Sequence, residues 1–301
     1  MVFDVVRAGD TNRADTVHEY ASGKAVNAAR VLHTLGHDAL YLGQVGGDRG
    51  RFFRRDLEQL GIAHDLIDVA ADTRLCVTVV DRQGRQSTEL IEEPTEIEPG
   101  VSRALLERFV SHLGGAPSAV ILGGSLAPGV SDDFYAEAAR LCREADVPVI
   151  LDARGDPLRA ALSNGPLVVK PNRAELAATA GRPVESRNAM HAAMAALVER
   201  GANWVVCTRG RDGSSVCGKT DGDLHFWEAT APRICPINAV GSGDAYAAGL
   251  AAGVAAGVAL PDACRYASAC GAANAETLLA GHVDADRISR LACDVQLREV
   301  A

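Results

Sequence analysis

Lysine is nearly missing from this chain: of 30 basic residues only Lys24, Lys170 and Lys219 are lysines. Arginine stands almost wherever a positive charge will serve, so a retained lysine hints that a compact point charge is required there. Lys219, within Gly218-Lys219-Thr220-Asp221-Gly222, reads as a loop residue. An excess of positive charge is absent too. The net charge of −9 excludes a nucleic-acid partner, whose affinity would rest on Lys and Arg neutralising phosphates. No C-x-x-C pair occurs among the eight cysteines, which argues for buried reduced thiols over a metal or disulfide framework. The start, Met1-Val2-Phe3-Asp4, lacks a basic region followed by an apolar core, and the longest apolar run, Ala245 to Leu260, has 16 residues. A bilayer needs roughly 20. The expectation is a soluble cytoplasmic protein without a membrane partner.

At 301 residues and 48% hydrophobic content the chain can bury a large core. Four short apolar runs, Ala119 to Leu122, Val147 to Leu151, Leu167 to Val169 and Trp204 to Cys207, read as strands buried on both faces. A parallel sheet covered by helices demands such strands. Each run ends in polar or glycine-rich residues: Gly123-Gly124-Ser125, Asp152, Lys170-Pro171-Asn172 and Thr208-Arg209-Gly210. In open α/β sheets that edge holds the ligand. Helices are expected over Lys24 to Leu35, Arg51 to Leu60, Val101 to Leu113, Asp132 to Glu144 and Asn188 to Arg200, and towards the C-terminus.

Leu75 to Asp81 and Gln86 to Ile91 alternate apolar and polar residues around Arg82-Gln83-Gly84-Arg85, the pattern of a hairpin with one wet face. It is assigned to a small sheet outside the main domain, with Val2 to Val6 and Asp15 to Tyr20 as partners. The domain reading is a large α/β unit over 21–72 and 92–301 and a β lid over 1–20 and 73–91. Bare strand edges tend to pair, so the lid is also a candidate homodimer surface.

Asn238-Ala239-Val240-Gly241-Ser242-Gly243-Asp244 stands in front of the longest apolar run. Two glycines around a serine let consecutive N–H groups point outward at the positive end of a helix, which suits a phosphate. Asp244 is then either a base that takes a proton from a hydroxyl attacking that phosphate or a residue of the first helical turn. Gly249, Gly253 and Gly257 mark a bare helical face suited to close packing.

Taken together, Gly23-Lys24-Ala25-Val26-Asn27, Thr73-Arg74, Gly124-Ser125-Leu126, Val169-Lys170-Pro171-Asn172 with Glu175, Gly210-x-x-Gly213 and the glycine loop resemble the ribokinase-like (PfkB) sugar kinases. The branch is that of tagatose-6-phosphate kinase and 1-phosphofructokinase. The resemblance runs from about Asn12 to Leu291. It implies a three-layer, mostly parallel α/β sheet with a small β lid, and ATP-dependent phosphorylation of a phosphorylated ketohexose. By this resemblance Asp244 is the base, with Gly241, Ser242 and Gly243 around the transferred group. Lys24, Asn27, Arg74 and Ser125 hold the sugar phosphate; Lys170, Asn172, Thr208, Gly210, Gly213, Val240 and Asn274 hold the nucleotide, Asn274 near adenine. Glu175 and Asn172 are assigned to Mg²⁺ through water, although the same pair also reads as a helix capping box.

The sequence departs from the family pattern in places. Met1 falls just after the point where the family has a first core strand ending in Asn-Pro-x-x-Asp, so one core strand and a carboxylate are expected to be missing. Ser22 and Ala25 replace glycines, the proline after Ser125-Leu126 moves to Pro128, and Arg209 and Asp212 replace small or apolar residues. Alternatives are a same-fold kinase for an unphosphorylated sugar or nucleoside, and a non-catalytic binder. A nicotinamide-dependent dehydrogenase is disfavoured because no G-x-G-x-x-G follows an N-terminal strand.

Overall fold

The computed structural model describes residues 1–300. After strand β1 (Val2–Phe3) the chain passes a single bridge at Thr16 and enters α1 (Lys24–Thr34), β2 (Leu40–Val45), α2 (Gly47–Gln59) and β3 (Ala63–Asp68). The hairpin β4 (Cys76–Asp81) and β5 (Gln86–Ile91) precedes α3 (Val101–Leu113). Then come β6 (Val120–Gly123), α4 (Phe134–Glu144), β7 (Val149–Asp152), α5 (Gly155–Ala161), β8 (Val168–Val169), α6 (Arg173–Ala180), α7 (Arg187–Glu199) and β9 (Trp204–Thr208). β10 (Ser214–Thr220), β11 (Asp223–Ala229), α8 (Ser242–Ala255), α9 (Leu260–Ala275), α10 (Ala285–Asp294) and β12 (Leu297–Val300) complete the order.

β6 to β9 are parallel and β10 to β12 antiparallel, in one seven-stranded sheet. Val149, Ile150 and Leu151 of β7 are all buried, as an interior strand between two helical layers must be. On one face α4 to α7 supply Tyr135, Leu158, Leu176 and Met194. On the other, α8 and α9 supply Tyr246, Leu250 and Cys264. α8 and α9 approach closely, since a Cβ at Gly249 would lie 2.6 Å from Ala267 Cα and one at Gly253 2.6 Å from Ala263 Cβ. Gly257 lies beyond the helix and meets nothing.

The parallel architecture has a cost-free consequence for placement: Gly123, Asp152, Val169 and Thr208 end their strands on the same edge. The antiparallel extension leaves no such trace in the sequence. Ser214 and Ser215 of β10 are fully buried, and polar residues hide a buried strand from a search for apolar runs.

β2 and β3 form a separate parallel pair, not hydrogen-bonded to the seven-stranded sheet, although β2 and β6 both pack on α1. The central layer is therefore interrupted between them. The small sheet has the order β1-β4-β5. Its partners are shorter than expected: Val2 to Val6 contributes two residues, and Asp15 to Tyr20 only the Thr16 bridge to Val2. Asp81 anchors the hairpin turn by accepting the Gly84 N–H at 2.7 Å and the Val6 N–H at 3.1 Å, bonds that hold its carboxyl below the ordinary value. All eight cysteines are free, five of them buried and Cys76, Cys235 and Cys293 exposed. Among the described residues no helix is long and apolar enough to cross a membrane.

Candidate active site

The turn into α8 is built around Gly241, at φ 83°, where a Cβ would meet Ala280 Cβ at 2.6 Å. Only glycine fits there. Two carboxamides hold the turn. Asn238 Oδ1 accepts the Val240 N–H at 3.2 Å and its Nδ2 donates to Leu278 O at 2.9 Å. Asn274 Nδ2 donates to Val240 O at 2.9 Å and Ser242 Oγ at 3.2 Å, while its Oδ1 accepts the Gly281 N–H at 2.7 Å. The Ser242 N–H donates to Ala239 O and that of Asp244 to Gly241 O. Among the described residues the Gly241 and Gly243 N–H groups have no hydrogen-bond partner. Lys170 Nζ lies beside Gly243, 3.6 Å from where its Cβ would be. Two free N–H groups, a helix N-terminus and an ammonium make a seat for an anion.

Two assignments from the sequence change here. The Val240 N–H is already taken by Asn238, so it is not one of the seat's free donors. Asn274 is fully buried with both ends of its amide engaged, so it stands as a clamp behind the loop and presents no open polar atom to an adenine.

Asp244 sits in the first turn of α8, 9% exposed, and accepts from Asn27 Nδ2 at 2.8 Å. Burial pushes its carboxyl up to about 6, against the Asn27 hydrogen bond and with Asp152 adding to the rise, while Lys170 and Lys24 oppose it. A carboxyl titrating there is ionised at neutral pH yet basic enough to accept a proton.

The residue that sequence reasoning noted only as a strand end is Asp152. It is 2% exposed and bridges two lysines, with Lys24 Nζ at 2.8 Å from Oδ1 and Lys170 Nζ at 3.2 Å from Oδ2. Burial would raise this carboxyl, but Lys170 and Lys24 hold it below the ordinary value. Lys24 also reaches Glu175 Oε1 at 3.4 Å. Burial works to lower the Lys24 ammonium; Asp152, Glu175 and Asp244 more than reverse that and leave it raised.

The expected phosphate clamp on the sugar side is thus not assembled. Lys24 is on Asp152, and Asn27 holds Asp244 while its Oδ1 accepts from Ser22 Oγ at 3.2 Å. Arg74 and Ser125 have no polar side-chain partner among the described residues. Arg74 follows Thr73, which is fastened to the start of α2 through the Gly46 N–H on its Oγ1 at 2.9 Å.

On the nucleotide side, Lys170, Asn172 and Thr208 come together at the ends of β8 and β9, where the Thr208 N–H donates to Pro171 O at 3.0 Å. Gly213 closes the following loop at φ 83°; a Cβ there would sit 2.0 Å from Ala229 O. Gly210 opens the same loop with nothing within 4 Å of a Cβ. Asn172 and Glu175 form the capping box in both directions, each bond 2.9 Å. Among the described residues no three His, Cys, Asp or Glu side chains converge on a metal position. Carboxylates from Asp152 and Glu175 do share one neighbourhood through Lys24. That donor set fits Mg²⁺, which keeps several waters and takes phosphate oxygens as further ligands. The small sheet touches this site: Ser87 Oγ donates to Asn238 Oδ1 at 3.0 Å.

The model of the pfkB family of carbohydrate kinases matches residues 1–285. The chain belongs to that family. It is therefore a sugar kinase with ATP as phosphate donor. Among solved structures it is similar to a Staphylococcus aureus protein described as a possible phosphofructokinase, at 29% identity over 99% of this chain and 94% of that one, with a TM-score of 0.78. Phosphofructokinase-2 of Escherichia coli, in complex with substrates and products, shares the fold at 22% identity, 97% and 94% coverage and a TM-score of 0.85. So does a Thermotoga maritima protein described as a possible 1-phosphofructokinase, at 20% identity, 100% and 96% coverage and a TM-score of 0.84.

Proposed function

We propose that this kinase transfers the terminal phosphoryl group of ATP to the primary hydroxyl of a phosphorylated ketohexose, of the tagatose 6-phosphate or fructose 1-phosphate type, giving a bisphosphate. The observation that carries the reading is Asp244 beside the free Gly241 and Gly243 N–H groups and Lys170. Asp244 takes the hydroxyl proton as the oxygen attacks in line. The two N–H groups and Lys170 neutralise charge growing on the transferred group. Thr208, Gly210 and Gly213 line the nucleotide loop. Glu175, with Asn172, would hold Mg²⁺ through water, and the ion would supply positive charge between the phosphates.

One observation favours a second acceptor class. With Lys24 tied to Asp152, Arg74 is the cation of the expected clamp that lacks an ion-pair partner among the described residues, and a neutral sugar needs hydrogen bonds more than cations. A coupled ADP-release screen across ketohexoses with and without phosphate decides. Faster turnover of the phosphorylated sugars supports the proposal, and activity confined to unphosphorylated ones replaces it.

The exposed strand β5, with Leu90 58% and Ile91 52% exposed, suits pairing with a second copy of the chain. Light scattering should then give a dimer, and Leu90→Lys a monomer.

A further inference from the structure

Lys24 has no reason of local structure to be where it is. It opens α1, whose first turn has no acidic residue, so its charge faces the positive end of the helix dipole. Asp152 does not need it for burial either, because Lys170 already pairs with that carboxylate and both are only 3% exposed. Lys24 itself is 34% exposed and hangs on a flexible four-carbon stem. Its ammonium rests among three oxygens from two elements: Asp152 Oδ1 at 2.8 Å, Asp152 O at 3.4 Å and Glu175 Oε1 at 3.4 Å.

Two carboxylates and a carbonyl around one positive charge are oxygen donors of the kind a hard cation takes, with water completing its shell. The charges tally the same way. Asp152, Glu175 and Asp244 face Lys24 and Lys170, and removing Lys24 leaves two more negative charges than positive ones. A divalent ion matches that deficit.

We propose that Lys24 is the resident cation of an oxygen seat formed by Asp152 and Glu175, and that it leaves this seat for the phosphate of the acceptor sugar, admitting a divalent cation behind it. The inference rests on the phosphosugar reading for the identity of the acceptor, but the competition between ammonium and metal stands on the geometry alone. Acceptor and metal then assist one another. Pulling the lysine outward raises affinity for the ion, and by linkage the ion raises affinity for the phosphosugar by the same factor.

The test is Mn²⁺ binding without nucleotide, followed by the electron paramagnetic resonance of the free ion. Lys24→Met should bind Mn²⁺ about 10-fold more tightly than the native chain, within the usual range of such couplings. Adding Glu175→Gln to it should remove the gain. In the native chain, saturating tagatose 6-phosphate or fructose 1-phosphate should tighten Mn²⁺ by a similar factor, and in Lys24→Met it should not. Unchanged or weaker Mn²⁺ binding by a folded Lys24→Met overturns the exchange. If that variant does not fold, native Mn²⁺ affinity that ignores both sugars overturns it equally. Turnover in the ADP screen with Mn²⁺ binding indifferent to Lys24 removes this inference alone. The Mn²⁺ gain in Lys24→Met, with a native chain that turns over no phosphorylated sugar, removes the phosphosugar reading and leaves the competition between ammonium and metal standing.

Discussion

Asn27 and Asp244, 217 residues apart in sequence, meet through a 2.8 Å hydrogen bond that ties α1 to the carboxylate at the head of α8. Asn27 donates, so it favours the ionised acid and opposes the burial that raises it. Removing that donor moves the acid limb of the rate profile upward. For Asn27→Ala, kcat measured against pH should show its acidic inflection at higher pH than in the native chain, whose limb is expected at about 6. An unmoved inflection would detach this bond from the chemistry.

Asp244→Asn keeps the shape and an acceptor for Asn27 but cannot take a proton. Turnover should fall by about 10²-fold or more, with ATP affinity, measured by calorimetry, almost unchanged. Native turnover would make Asp244 a helix-turn residue.

The same substitution has a stability signature. The folded carboxyl is raised from 3.8 to about 6, so the stabilisation it contributes is complete below 3.8 and is lost as pH rises through about 6. At pH 8 the buried charge is a burden that Asn lacks. The melting temperature of Asp244→Asn should exceed that of the native chain at pH 8, and the gap should narrow below pH 6. A gap that widens on acidification would contradict the shift.

The two loop glycines should respond unequally to alanine. At Gly210, where φ is +60° but space is open, Gly210→Ala should cost about 1–2 kcal/mol of backbone strain. At Gly213 the new Cβ would also lie 2.0 Å from Ala229 O, so the loop must move. Denaturant titration should give the larger loss for Gly213→Ala, and equal losses would mean that the Ala229 contact yields freely.

Asn274→Ala should leave the Val240 carbonyl and the Gly281 N–H without their bonds. About 1–3 kcal/mol is expected for a buried polar group left unpaired. Thermal unfolding should fall and turnover with it. A variant that melts earlier but turns over normally would show that the Val240 peptide does not set the seat.

What could be seen in the sequence and what could not divides along physical lines. The parallel strands were visible because burial on both faces writes uninterrupted apolar runs such as Val147 to Leu151. The hairpin was visible because one wet face writes alternation. β10 was not, since Ser214 and Ser215 are buried serines; nor were β2 and β3, whose mixed residues meet no simple period. The glycine loop announced an anion seat, but not which N–H groups remain free, because that depends on Asn238 and Asn274 supplying side-chain oxygens and nitrogens across 2 and 34 residues. Asp152 was legible as a strand end only. Its importance comes from Lys24, 128 residues away, and from Lys170.

The Ser87 hydroxyl and the Val240 amide share a single acceptor, Asn238 Oδ1. The small sheet is thereby coupled to the turn proposed to cradle the migrating phosphoryl group, before any sugar bridges the two. On the proposed reading, a lifted sheet would leave that oxygen with the Val240 donor alone and loosen the turn, so water in an open cleft would meet a poorer catalyst than a sugar in a closed one. Ser87→Ala is accordingly expected to change the share of ATP that is squandered on water relative to that delivered to sugar.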